Sequence, residues 1–204
     1  MRSPDPYRYP TAPHVRRHGP GGYAKYGDYK SWLRDEFDFR CVYCLQRERW
    51  GQFRRSFELD HFLPKSIRAD LALAYDNLLY SCASCNSAKS SSLVPDPHVH
   101  GFGDCLRVED NGEITPLNDE GTILIDELDL DASERVEWRK MIIEIVSLIS
   151  NSGRMDMLKD WMGLPHEVPD LSVVKSPNPN TRPEGLTQSW HSRKERGEQM
   201  NVFE

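Results

Sequence analysis

Phe57-Glu58-Leu59-Asp60-His61-Phe62-Leu63-Pro64 lies between two C-x-x-C pairs, Cys41 with Cys44 and Cys82 with Cys85. The alternation of Phe57, Leu59 and His61 predicts a short strand that stops at Pro64, which has no N–H to donate to a ladder. It sets Asp60 and His61 side by side at the strand end, on opposite faces. Residues 66–74 are weakly helical in composition. Tyr75-Asp76-Asn77 then leads into Leu78-Leu79-Tyr80, which suits a second short strand. Residues 83–92 have helix-compatible composition, with Asn86 and Lys89 three apart and so on one face. The expected order is strand, strand, helix, with a cysteine pair at each end.

Two C-x-x-C pairs in one small domain read as a four-thiolate zinc site, because two intervening residues let both sulfurs of a pair turn toward one ion at about 2.3 Å. A redox pair explains one C-x-x-C but not two. Thirty-seven residues separate Cys44 from Cys82, longer than the usual ribbon spacing, so a further structure is inserted there. Four thiolates leave no open position for water, so zinc at Cys41, Cys44, Cys82 and Cys85 is structural. Its binding supplies on the order of 10 kcal/mol of folding free energy. Cys105 reads as a small half-buried residue beside a strand.

The string C-x-x-C, Asp-His, Asp-Asn-Leu, then C-x-x-C-Asn with a lysine three residues on resembles the HNH endonuclease family over about residues 40–92. The resemblance implies an α+β fold with a ββα-metal (His-Me finger) nuclease core braced by a four-cysteine zinc site. It implies that His61 is the general base, that Asp60 holds a catalytic divalent ion, and that Asn77 fixes the active-site loop. Asn86 stands where the last histidine of the name often stands and would be the second ligand of that ion. Lys89 is similar to a basic residue near the scissile phosphate in some members.

The residue chemistry agrees with that assignment. A histidine with an ordinary pKa near 6.5 can take a proton from water at neutral pH. A hard ion such as Mg2+ or Mn2+ wants oxygen ligands, which a carboxylate and an amide oxygen supply. Two protein ligands leave positions for phosphate oxygens and water, and one carboxylate suits a single ion. The competing reading is a zinc-braced nucleic-acid-binding module without catalysis, with Asp60 and His61 as bystanders. RNA is a further alternative to DNA as substrate.

Arg47, Arg49, Arg54 and Arg55, interleaved with Trp50 and Phe53, are candidates for nucleic-acid contact. The alternative is a solvated hairpin whose aromatic residues pack on the zinc module. His98-Val99-His100 reads as a solvent-exposed loop rather than a second metal site.

The 204 residues are 38% hydrophobic and 28% charged, with a net charge of −6. The charge is uneven: residues 1–94 carry a formal +5 and residues 95–204 a formal −11. A polyanion would meet the first half and be repelled by the second. No run of about 18 apolar residues exists, so no membrane span is expected. The first twenty residues hold five prolines and four arginines without an apolar stretch, so no secretory signal is expected and the setting is the reducing cytoplasm.

Residues 1–28, rich in proline, glycine and tyrosine, are expected to form a mobile or loosely docked arm, and residues 29–95 the nuclease core, entered by an amphipathic helix at 29–39. Residues 96–164 are expected to be an acidic α+β extension. It holds a hairpin over 105–117, a helix over 132–151 opened by an Asp131/Glu134 capping box, and a short helix near 154–162. Residues 165–204 read as a tail. The expected partners are double-stranded DNA and either a regulatory protein, for example an ATPase, or a second copy of the chain. The arrangement after the motif loosely resembles stand-alone bacterial HNH proteins of defence or restriction-like loci.

Overall fold

A computed structural model describes residues 4–50 and 57–198. The fold is α+β, built on two small antiparallel sheets and seven helices among the described residues. Strands β1 (Phe57–His61) and β2 (Leu78–Cys82) pair with Phe57 opposite Cys82, Leu59 opposite Tyr80 and His61 opposite Leu78. Every residue of β2 is buried, which explains its near-continuous apolar run. Helix α2 (Ala83–Lys89) follows without a linker, and the Cys82 sulfur accepts from the Cys85 amide at 3.5 Å in place of an N-cap oxygen. Helix α1 (Lys30–Glu36) packs across the strands, burying Trp32 and Leu33 with Phe57, Leu78 and Tyr80.

The first cysteine pair sits in a tight loop joined to β2 by the Val42 amide, which donates to the Tyr80 carbonyl at 2.9 Å. Leu45, with φ +59°, turns the backbone back at the end of that loop. Arg34 and Glu48 close a buried bidentate pair at 2.8 Å, and the Tyr80 hydroxyl donates to Glu48 at 2.7 Å. This ties α1, the cysteine loop and β2 together.

The extension begins at Phe102–Asp104, a single 3-10 turn. Strands β3 (Leu106–Val108) and β4 (Ile114–Pro116) form the expected hairpin, with Gly112 at φ +86° in the turn. Helix α3 (Asp119–Leu128) is capped by Asn118, whose side chain accepts from the Gly121 amide at 2.9 Å. Helix α4 (Ser133–Asn151) matches the expected span, but the capping box does not form: the N-cap is Ala132 and makes no side-chain cap. A turn over residues 129–131 places Asp131 one residue too early to reach the first helical amides. One side of α4 is core, with Ile142, Val146 and Ile149 buried and α5 (Met155–Met162) packed against the helix, whereas Met141 and Leu148 are exposed.

Both ends of the described chain are closely docked, unlike the loose arm and tail expected of their composition. Tyr7, Tyr9 and His18 are buried, and so are Leu171 and Trp190. The reason is a polar network on the last turn of α1. The Glu36 carboxylate accepts from the amides of Arg17 and His18, from the His14 imidazole and from the Tyr75 hydroxyl, at 2.7 to 3.1 Å. Burial pushes its pKa up, but those hydrogen bonds and the nearby Arg16 charge win and hold it at about 2. Asp35 bonds the His18 ring at 2.8 Å and accepts from the Trp190 amide at 2.7 Å. The last segment, with short helices α6 (Gly185–Gln188) and α7 (Trp190–Glu195), thereby closes over the first. A bridge between Gly21 and Asn178 joins the two segments directly.

Candidate active site and metal centre

Cys41, Cys44, Cys82 and Cys85 come together as expected, their sulfurs all within 4.8 Å of one another. The Cys44 and Cys82 sulfurs lie 3.6 Å apart. Four sulfurs at about 2.3 Å from one tetrahedral ion would stand roughly 3.8 Å apart, so the donor set fits a structural metal of zinc type. All four cysteines are buried and none is disulfide-bonded. Arg135 of α4 donates to the Cys85 sulfur at 3.1 Å, a partner for a thiolate supplied from outside the motif.

His61 ends β1. Its Nε2 lies 3.0 Å from the Ala72 carbonyl oxygen, which can only accept, so Nε2 carries the proton and Nδ1 the lone pair. Tyr26 packs edge-on against the ring, with centroids 4.8 Å apart. Burial lowers the imidazole pKa, outweighing the raising effect of the Ala72 hydrogen bond, and favours the neutral ring. Asn77 clamps the loop that carries this arrangement. Its Oδ1 accepts from the Leu63 amide at 2.9 Å, and its Nδ2 donates to the Leu63 and Leu71 carbonyls at 3.1 and 3.3 Å. Leu71 adjoins Ala72, so one amide side chain steadies both ends of the loop.

On the other face of β1, two side chains of α2 meet two of the strand. The buried Lys89 ammonium donates to Asp60 Oδ1 at 3.1 Å and to the His61 carbonyl at 3.0 Å. The Tyr43 hydroxyl donates to Asp60 Oδ2 at 2.5 Å. Asn86 donates to Glu58 at 2.6 Å. Glu58, Asp60 and Asn86 thus present oxygen donors along one face, the ligand type a hard divalent ion takes. Both Asp60 oxygens accept hydrogen bonds here, so an ion would use their remaining lone pairs. Among the described residues, no hydrogen bond links the His61 ring to Asp60 or Asn86.

The arginines expected at nucleic acid divide. Arg47 is buried and donates to the Met162 carbonyl at 2.5 Å, and burial pulls its pKa down to about 9. That bond ties it to the end of α5. Arg49 is held by Asp160 and by His166. The reason for both is the docking of α5, whose carbonyls and carboxylate take up the guanidinium donors. Arg54 and Arg55 lie outside the described residues. His98 bonds Asp96 at 2.7 Å in its loop, and Cys105 is buried just before β3.

Sequence reasoning missed Tyr43, Tyr26, Glu58 and Arg135. Glu58 had a signal, since it lies two residues before Asp60 on the same strand face. Tyr43 lies inside the first C-x-x-C but had no pattern linking it to Asp60, and Tyr26 and Arg135 come from segments outside the motif.

A strand pair, a following helix and a four-cysteine brace, with Asp-His at the end of the first strand, make one compact unit of this chain. Residues 41–92 match the family model described as HNH endonuclease. The chain is also similar to Septu protein PtuB of Bacillus thuringiensis, 28% identical over 134 residues, or 60% of this chain and 48% of that protein. The chain therefore spans about half the length of the curated relative it matches. No helix among the described residues is long and apolar enough to cross a membrane.

Proposed function

We propose that this protein is a metal-dependent endonuclease that hydrolyses phosphodiester bonds in DNA. The observation that carries the reading is the His61 ring, fixed in the Nε2–H tautomer by the Ala72 carbonyl inside a domain of HNH type. Nδ1 is then the atom that takes the proton from an attacking water. Asn77 keeps the ring in register by holding the loop at Leu63 and Leu71. Asp60 and Asn86, with Glu58 beside them, are the residues to hold a Mg2+ or Mn2+ ion, whose chemistry when bound is to offset charge on the phosphate and the leaving oxygen. Lys89 sets the Asp60 carboxylate and the His61 backbone in place. The four cysteines hold zinc and give the strands a rigid frame.

A role in a bacterial defence or restriction-like system and a cytoplasmic setting belong to the same reading. The formal −11 of residues 95–204 supports a protein partner, a regulatory ATPase or a second copy, rather than nucleic acid on that half. Relaxation of supercoiled plasmid with Mg2+ or Mn2+ tests the proposal. His61→Ala should abolish nicking, a fall of about 10²- to 10⁴-fold, while zinc content and melting stay as in the parent. Nicking at the parental rate in that variant would refute it. The non-catalytic binding module is favoured by one observation, the engagement of both Asp60 oxygens by Tyr43 and Lys89. It predicts DNA retention without cleavage under every metal tried.

A further inference from the structure

A cleft of about 700 Å³ opens between the first cysteine loop, the outer face of α2 and α4. Its size is that of small-molecule sites, which run from roughly 300 to 1,000 Å³. It lies away from the residues assigned to phosphodiester hydrolysis: Ser84 and Ser87 line it, whereas Asn86 and Lys89 of the same helix turn toward β1.

Three donors at this cleft are buried and have no hydrogen-bond partner among the described residues: Tyr7 Oη, Trp138 Nε1 and Arg139 Nη2. Tyr7 is 2% exposed and Arg139 4%. Buried polar groups are nearly always paired, and three orphans around one cleft, drawn from two distant segments, point to a missing acceptor. Arg139 is not loose. Its Nε donates to the Gly112 carbonyl at 2.7 Å and its Nη1 to the Leu130 carbonyl at 2.8 Å, so the guanidinium is fixed with one nitrogen left over. The lining is also two-sided: Asp129 and Glu134 bring carboxylates to the same cleft, and the half-buried Trp138 brings aromatic surface.

We propose that this cleft binds a mononucleotide. Its phosphate accepts from Tyr7, Trp138 and Arg139, its base lies against the aromatic surface, and its sugar or base donors meet Asp129 and Glu134. A bare oxyanion has no use for the carboxylates, and a purely apolar ligand has no use for the three donors. A nucleotide needs both kinds of group and a flat surface between them. The proposal does not rest on the nuclease reading. It does give α2 two occupied faces, with ligand on one and the Asp60 contacts on the other.

Calorimetric titration of the full zinc-loaded chain with ATP and GTP is the test. At least one should bind with a stoichiometry of one, and the matching nucleoside and inorganic phosphate should each bind at least tenfold more weakly. Tyr7→Phe removes one donor, and Ser87→Trp, at an exposed helix position, fills the cleft without touching the core. Each should weaken the nucleotide at least tenfold with the thermal melt preserved for Ser87→Trp. Absence of saturable binding by either nucleotide overturns the proposal, as does binding that neither variant changes. Inorganic phosphate binding as tightly as the nucleotide overturns it in favour of a simple anion site. A single-stranded oligonucleotide binding as tightly, with the same response to Ser87→Trp, overturns it in favour of a backbone phosphate.

Discussion

Lys89 is an ammonium with no exposed surface, held between the Asp60 carboxylate and the His61 carbonyl. A buried charge is tolerable only when it is paired, and removing one partner strands the other. Lys89→Met should therefore lower unfolding free energy by about 3–5 kcal/mol, measured by urea titration. Adding Asp60→Asn to it should restore part of the loss, because the uncompensated carboxylate is gone. Asn77 is the second test at this scale. Its three hydrogen bonds hold the loop that carries the Ala72 carbonyl. Asn77→Ala should cost about 1–3 kcal/mol through the unpaired backbone groups it leaves and should slow plasmid nicking together with stability. Both residues were readable as members of a motif. That Lys89 is wholly buried was not, since nothing in the spacing says which way a helix faces.

At the scale of elements, the last turn of α1 organises the chain ends. Glu36 has a pKa held well below the ordinary carboxylate value of 4.5, at about 2. A depressed carboxylate stabilises the fold fully above about pH 4.5, and the contribution fades as pH falls toward 2. The shift corresponds to about 3 kcal/mol at neutral pH. Glu36→Gln should therefore lower the melting temperature at pH 7 and flatten the decline of stability between about pH 4.5 and 2, as followed by circular dichroism. The amphipathic pattern of α1 was legible because Trp32 and Leu33 repeat on a helical face. The role of Asp35 and Glu36 was not legible, because their partners, His14, His18, Tyr75 and Trp190, share no local pattern with them.

For the whole molecule, the cysteine cluster and the docked ends set stability together. If the four cysteines hold zinc as proposed, chelation should unfold β1, β2 and α2 cooperatively, with a loss on the order of 10 kcal/mol at neutral pH. Loss of zinc-bound thiolate absorbance in step with far-ultraviolet ellipticity, on titration with a chelator, would report it. Removal of residues 165–204 should lower the melting temperature and raise protease sensitivity before residue 28, because Trp190, Asn180 and Arg182 hold Asp35, Gly19 and His18. A tail that only hung in solvent would change neither.

The nucleus of the fold is written in short-range chemistry: two cysteine pairs, a strand stopped by proline, an Asp-His, and an asparagine and lysine one helical turn apart. Thiolate–metal geometry and strand or helix periodicity act over a few residues, so a linear sequence displays them. Tertiary structure alone decided that Arg47 and Arg49 serve α5 and that the proline-rich ends lie on the core. It also decided that Tyr7, Trp138 and Arg139 share one cleft. Those outcomes depend on hydrogen bonds and buried charges between groups far apart in the chain, and such pairing carries no period that composition can reveal.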